Sequence, residues 1–366
     1  MSYVERKNMF LKCEAIRQKP LVTYITSIRP NSSAPMAGDA IPQIIAQIQE
    51  IPSEKKEIDF LIISNGGDPI TALRIIDILR ERFENISVLL PYAAFSAATI
   101  LSLGADEIVM HPYSNLGPFD PQLSVIKPNG AGQQSQLQFS SEDIRNYIEF
   151  IRSDVGITDQ AHLISAFNSL ASDVGPLPIG SSKRSQQLSL SLSTKMLEAH
   201  MADKSKAASI AKSLNTSYYH HGYALSRKEA KNIGLNIVNP NPEFENLLWD
   251  IWIDYSTEMK CDKEFNPVAE LMDNLQAKQL ISNVPVINLP ANTPSHIAQQ
   301  VIASIAQQSA QITQQVPIEV NSTVAAIESL NAAYTVNTTY SIAYWRDANM
   351  NLSINVTAYS KGWEKS

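Results

Sequence analysis

Residues 58–64, Ile-Asp-Phe-Leu-Ile-Ile-Ser, form a nearly unbroken apolar run of strand length that ends in the sharp turn Asn65-Gly66-Gly67-Asp68-Pro69. A strand that reads apolar on both faces fits the interior of a parallel sheet covered by helices. The following Ile-Thr-Ala-Leu-Arg-Ile-Ile-Asp-Ile-Leu-Arg-Glu-Arg-Phe predicts a helix. Ile70, Leu73, Ile76 and Leu79 share one face, and the arginines lie mostly off it. A second strand is expected over 86–91, a second helix within 93–104, ended by Gly104, and a short strand over 107–112. Strand, helix, strand, helix, strand at this spacing is a βαβ series, which builds a parallel sheet with right-handed crossovers.

The flanks are less regular. Residues 20–27 read as a first strand, and Asp39 is placed to cap a helix through 41–51. Residues 125–141 are rich in Gly, Gln and Ser and read as a loop. Helices are expected at 142–154 and 158–171, then a Pro/Gly/Ser loop over 174–185, then helices at 184–202 and 204–214. A turn-rich segment covers 215–226, followed by a short helix closed by Gly234 and a strand at 236–240. Beyond residue 250 the composition shifts. A Gln/Ala/Ile-rich helix is expected at 295–315, and the alternating segments 339–345 and 351–359 around Arg-Asp-Ala-Asn-Met predict a β-hairpin. The expected organisation is a domain over 1–250 and an added α+β segment over 251–366.

The formal net charge of −7 argues against a nucleic-acid partner, which needs a basic face. Cys13 and Cys261 make neither a disulfide framework nor a zinc site, and suit two reduced thiols; no metal and no cofactor is expected. The first residues lack the apolar core of a signal peptide. The most apolar segment, 86–110, is interrupted by Pro91, Ser96, Ser102 and Asp106, so it reads as buried core rather than a membrane span. A cytoplasmic location is the expectation.

Two motifs could carry chemistry. Asn65-Gly66-Gly67-Asp68 lies between a strand and a helix, where two glycines leave backbone N–H groups unobstructed; such amides bind anions, including a developing oxyanion. Ser96, in Phe95-Ser96-Ala97-Ala98-Thr99, lies between a strand and an apolar helix with small neighbours, as a nucleophile requires. Alone, the first also fits an ordinary turn and the second a capping serine. They are about 30 residues apart on successive βα units. Adjacent parallel strands would deliver both to one edge of the sheet.

The segments Ser64-Asn-Gly-Gly-Asp-Pro-Ile, Leu90-Pro-Tyr-Ala-Ala-Phe-Ser-Ala-Ala-Thr and Ser114-Asn-Leu-Gly-Pro-Phe-Asp-Pro-Gln resemble the serine dehydrogenase proteinase family, with a further similarity over 217–238. That family groups with the Clp protease proteolytic subunit, signal peptide peptidase A and the crotonases. The resemblance covers roughly 20–240 and implies an α/β, Clp/crotonase-like core of repeated ββα units with a parallel sheet. It implies Ser96 as nucleophile and the amides of Gly66, Gly67 and Ala97 as oxyanion donors. The chain has Ala98 where the family commonly has glycine, a minor departure.

For the general base the resemblance offers several positions. His221 falls on the family's trailing histidine, but Gly222 follows where relatives often carry Asp. His220 is its neighbour. Lys183 precedes a predicted long helix, much like the lysine of signal peptide peptidase A, and Asp120 falls near the Clp histidine. The resulting expectation is a serine peptidase acting on peptide or protein substrates, homo-oligomeric as its relatives usually are. The alternative is a non-catalytic scaffold or sensor of the same fold that meets a separate partner protein through 251–366. Acyl-CoA chemistry of the crotonase kind ranks below both.

Overall fold

The structure is a computed structural model that describes residues 3–119, 121–128, 134–216, 218, 222–282, 287–313, 317–346 and 351–365. The chain runs α1 (Tyr3–Arg17), β1 (Leu21–Thr26), a 3-10 turn (Gly38–Ala40), α2 (Ile41–Gln49), β2 (Glu57–Ile63), α3 (Pro69–Arg82), β3 (Asn85–Leu90), β4 (Ala93–Ala94), α4 (Ala97–Leu103), β5 (Glu107–Met110), β6 (Asn115–Leu116), β7 (Gln122–Pro128) and β8 (Gln134–Ser140). It continues α5 (Ser141–Ser153), α6 (Gln160–Val174), α7 (Pro176–Glu198), α8 (Lys204–Thr216), β9 (Leu225–Ser226), α9 (Arg227–Asn232), β10 (Ile237–Val238) and α10 (Pro242–Glu258). The last elements are α11 (Pro267–Asp273), α12 (Leu275–Ser282), α13 (Ser295–Thr313), β11 (Ile318–Glu328), β12 (Ala333–Arg346) and β13 (Leu352–Lys365).

Two compact units result. The first comprises 1–26, 35–254 and 327–332, and the second 27–34, 255–326 and 333–366. In the first unit, β10, β5, β3, β2 and β1 lie side by side in that order, every neighbouring pair parallel. The apolar run of β2 sits in the middle, and Phe60, Leu61, Ile62 and Ile63 are fully buried. A small second sheet, β4-β6-β9, joins β4 and β6, which follow β3 and β5, to β9, which follows α8. The series β3-β4-α4 is thus one ββα unit, and the α/β fold class expected from the sequence is borne out.

Several local expectations are corrected. Within the segment expected to be a loop at 125–141, the described residues form strands β7 and β8, which pair antiparallel with Leu123 opposite Phe139 and Val125 opposite Leu137. The expected loop at 174–185 is the start of α7. Pro176 stands in the helix's first turn, where a missing N–H costs nothing. Asp39 does not cap α2; Ala40 holds the N-cap position without a side-chain bond. Helix α1 carries Arg6, Met9, Phe10 and Cys13 inward at helical spacing. Arg6 is 1% exposed and its guanidinium pairs with Glu328 at 2.8 Å and also with Asp254.

In the second unit β11 neighbours β12, and β12 pairs antiparallel with β13 from Tyr334–Lys365 to Arg346–Leu352, with one irregularity between Val336 and Thr338. The expected hairpin is therefore present. Its core gathers Phe265, Leu271, Ala277, Ile281, Tyr340, Ile342 and Tyr344, with the Phe265 and Tyr340 rings stacked at 4.0 Å.

Candidate active site

The site is built where β2 and β3 end. Strand β2 leads into Ser64, whose hydroxyl receives the Thr26 Oγ1 proton at 2.8 Å and accepts from the Gly66 N–H at 3.0 Å. The diglycine turn then docks on Met36. The Met36 N–H donates to the Gly66 carbonyl at 2.7 Å and the Asp68 N–H donates to the Met36 carbonyl at 2.9 Å. Gly66 has φ +97 and Gly67 φ +152, both in the region that glycine favours. A Cβ on Gly66 would lie 2.6 Å from the Phe95 oxygen and 2.8 Å from the Ser96 Cβ. The turn can approach Ser96 this closely only because residue 66 has no side chain. Asp68 caps α3, accepting from the N–H groups of Ile70 and Thr71 and from the Thr71 hydroxyl.

Strand β3 ends at Leu90, β4 follows, and Ser96 opens α4 at φ 52 and ψ −119. A non-glycine residue in that conformation costs about 1–3 kcal/mol and persists only where its surroundings hold it. The restraints are visible. The Phe95 N–H donates to the Ser64 carbonyl at 2.9 Å, and the Ile100 N–H donates to the Ser96 carbonyl at 3.1 Å. Thr99 Oγ1 sits 2.7 Å from the carbonyls of both Ala94 and Gly117 and accepts from the Gly117 N–H. The 115–119 loop is thereby tied to α4. Ala97 and Ala98 are buried and Ser96 is half-buried.

Gly66, Gly67, Ser96 and Ala97, expected near one another from the sequence, lie within one small region. Gly66's own N–H is occupied by Ser64, whereas the N–H groups of Gly67 and Ala97 have no acceptor among the described residues. Ser96 Oγ likewise has no hydrogen-bond partner there. Lys183 is not part of this cluster: it is exposed on α7, donates to Gln186 Oε1 at 3.0 Å, and lines a cavity to which Ser96 does not contribute. Asp120, His220 and His221 lie outside the described residues. Met36, Ser64, Thr99 and Gly117 hold the site and were not singled out from the sequence. Their signal is long-range, since Met36 meets Gly67 across 31 positions of chain.

His111, at the end of β5, is buried beside Trp249, with the rings stacked at 5.0 Å, and its Nδ1 accepts the Tyr113 N–H at 3.1 Å. Burial pushes its pKa down; Glu245 opposes this and Arg227 adds to it. The imidazole is thus held neutral in a structural turn. Among the described residues no three His, Cys, Asp or Glu side chains are grouped to hold a metal, and no helix is long and apolar enough to cross a membrane.

Fold and site together define a class: a parallel α/β chain that raises a strained serine at a strand-to-helix turn beside a diglycine turn. The family of ClpP-like SDH-type serine proteinases matches residues 36–147, the segment that carries this arrangement, so the resemblance drawn from the motifs is borne out there. Two uncharacterized proteins of Methanocaldococcus jannaschii are similar. One is 26% identical over 57% of this chain and 63% of its own length, the other 25% identical over 54% and 57%. The chain therefore spans less than two thirds of the curated relatives it matches. Similar solved structures include two mutants of the 1510-N membrane-bound stomatin-specific protease, one of them in complex with a substrate peptide. They have TM-scores of 0.34 and 0.33, each at 15% identity, and cover 63% and 62% of this chain and 84% and 78% of theirs.

Proposed function

We propose that this chain is a serine peptidase in which Ser96 Oγ attacks the peptide carbonyl. The N–H groups of Gly67 and Ala97 receive the oxyanion, with Gly66 shaping the turn rather than donating. The Ser96 proton passes through the base to the leaving amine as the C–N bond breaks, and water then hydrolyses the acyl-enzyme. The observation that carries this reading is Ser96 at positive φ against a glycine with no room for a Cβ, flanked by two amides without acceptors. Strain of this kind clusters at functional sites.

The base we propose is a histidine of the segment after α8, His221 or His220, with Asp120 as a neighbouring carboxylate. The support is that the Phe119 N–H donates to the Leu214 carbonyl at 3.4 Å, which ties the end of α8 to the loop that Thr99 holds beside Ser96. Lys183 is the competing base, and it would have to give up Gln186. A homo-oligomer, a cytoplasmic location and a protein partner for residues 251–366 complete the reading. Exposed Ile126, Leu137, Phe150, Ile164 and Phe167 on β7, β8, α5 and α6 support self-association.

A fluorophosphonate probe tests the nucleophile directly. Wild-type protein is expected to be labelled at Ser96, Ser96→Ala not at all, and His221→Gln or His220→Gln at least about a hundredfold more slowly. A folded wild type that stays unlabelled, or a Ser96→Ala variant that keeps its peptide hydrolysis, sinks the proposal.

A further inference from the structure

A cavity of about 920 Å³ opens in the first unit between α5, α7 and α8. Its walls are apolar at Ile144, Ile148 and Leu190. Arg145, Arg152, Lys183 and Lys212 line it against only Glu142 and Glu149. The acids are partly spent: Glu142 pairs with Arg145 at 3.4 Å and accepts from Gln186 Nε2 at 2.6 Å. Gln186 is itself buried and fixed, accepting from Lys183 at 3.0 Å and from the Ser141 hydroxyl at 3.2 Å. Arg152 and Lys212 are exposed and form no ion pair among the described residues. A net positive rim over apolar walls selects ligands that carry both carboxylates and aliphatic groups.

Asn215, which lines the same cavity, is 2% exposed, and neither its Oδ1 nor its Nδ2 has a partner among the described residues. Burying an amide without partners is costly, and the deficit is removed by a ligand that offers a donor and an acceptor together. A peptide group does so. Asn215 is also next to Leu214, whose carbonyl accepts from Phe119 on the loop beside α4. A hydrogen bond therefore links the end of α8, beside the cavity, to the loop that borders Ser96.

We infer that this cavity binds an acidic peptide segment, with carboxylates at Arg152 and Lys212, aliphatic side chains against Ile148 and Leu190, and a backbone amide at Asn215. The inference deepens the peptidase reading, on which it rests for naming a peptide as the ligand, by giving that peptide a charge.

The test reads binding alone. The full chain carrying Ser96→Ala is titrated calorimetrically with an N-acetylated, C-amidated hexapeptide of alternating Leu and Glu, and with its Leu/Lys counterpart. The Glu peptide is expected to bind about tenfold tighter, and the double variant Arg152→Glu/Lys212→Glu to abolish or invert that preference. Asn215→Leu is expected to weaken both peptides; if it does not fold, the exposed rim variant decides. Absence of binding, equal binding of the two peptides, or a preference that survives rim reversal overturns the inference. So does a rim variant that changes the sedimenting mass while leaving the peptide preference intact, since the cavity then faces a second copy. Labelling of the wild type is scored separately. Selective peptide binding by a chain whose Ser96 is never labelled would sink the peptidase reading and leave the acidic-peptide site standing.

Discussion

Gly66→Ala is the sharpest perturbation of the site. Two costs add. At φ +97 an L-residue is strained by about 1–2 kcal/mol. The new Cβ would also lie 2.6 Å from the Phe95 oxygen, 2.8 Å from the Ser96 Cβ and 2.9 Å from the Ala97 nitrogen. An ordinary carbon–oxygen contact is about 3.3 Å or more. All three neighbours are backbone or Cβ atoms, so none can swing away, and overpacking of this kind adds about 1–3 kcal/mol. Gly156→Ala is the matched control: its φ is +80, but nothing lies within 4 Å of its Cβ position. Both variants pay for a backbone conformation, and only Gly66→Ala also displaces Ser96. Urea unfolding is expected to show Gly66→Ala less stable than Gly156→Ala by roughly 1–3 kcal/mol. Fluorophosphonate labelling should fall sharply in the first and stay unchanged in the second. Equal stabilities within about 0.5 kcal/mol would refute the close approach on which the site geometry depends.

Three further outcomes follow from neighbouring features. Arg6→Leu removes the buried guanidinium that pairs with Glu328 and Asp254, so a loss of about 3–5 kcal/mol is expected in equilibrium unfolding; a loss below about 1 kcal/mol would show these ion pairs to be dispensable. Asp68→Ala removes the cap of α3, which accepts from Ile70 and Thr71, and should cost about 1 kcal/mol without changing the labelling site. His111 has its pKa lowered by burial, so the unfolded chain takes up its proton more readily than the folded one. Its contribution is intact above the ordinary histidine range near about 6.5 and is lost as pH falls from there through the lower folded value. Stability measured against pH should fall less steeply over that window in His111→Gln, and an unchanged slope would remove His111 as its source.

The central strands and helices were legible because their signals are local. The run 58–64 and the helical spacing of Ile76 and Leu79 each need only a short window, and β2 and α3 fall where expected. Ser96 and the two glycines were legible for the same reason. Hairpin β7–β8 was hidden, although Leu123, Val125, Leu137 and Phe139 alternate, because a Gly-containing polar stretch between the strands read as continuous loop. The start of α7 was hidden by Pro176, Pro178 and Gly180, which break a helix interior but are tolerated near its beginning. Helix α1 was not foreseen from the sequence, and the partners of its buried Arg6 lie 248 and 322 positions away. The proton acceptor for Ser96 stayed open on the same ground: it depends on which distant segment is folded against α4.

The backbone at Ser96 has an evolutionary consequence. At φ 52 and ψ −119 glycine is the comfortable residue, and serine is kept there at the expense of local stability. On the peptidase proposal, a lineage released from hydrolysis would have no reason to retain the hydroxyl and would gain stability by replacing it with glycine. If Ser96 is the nucleophile proposed above, the identity of residue 96 becomes a marker within this fold, separating copies that keep a nucleophile from copies that act as scaffolds.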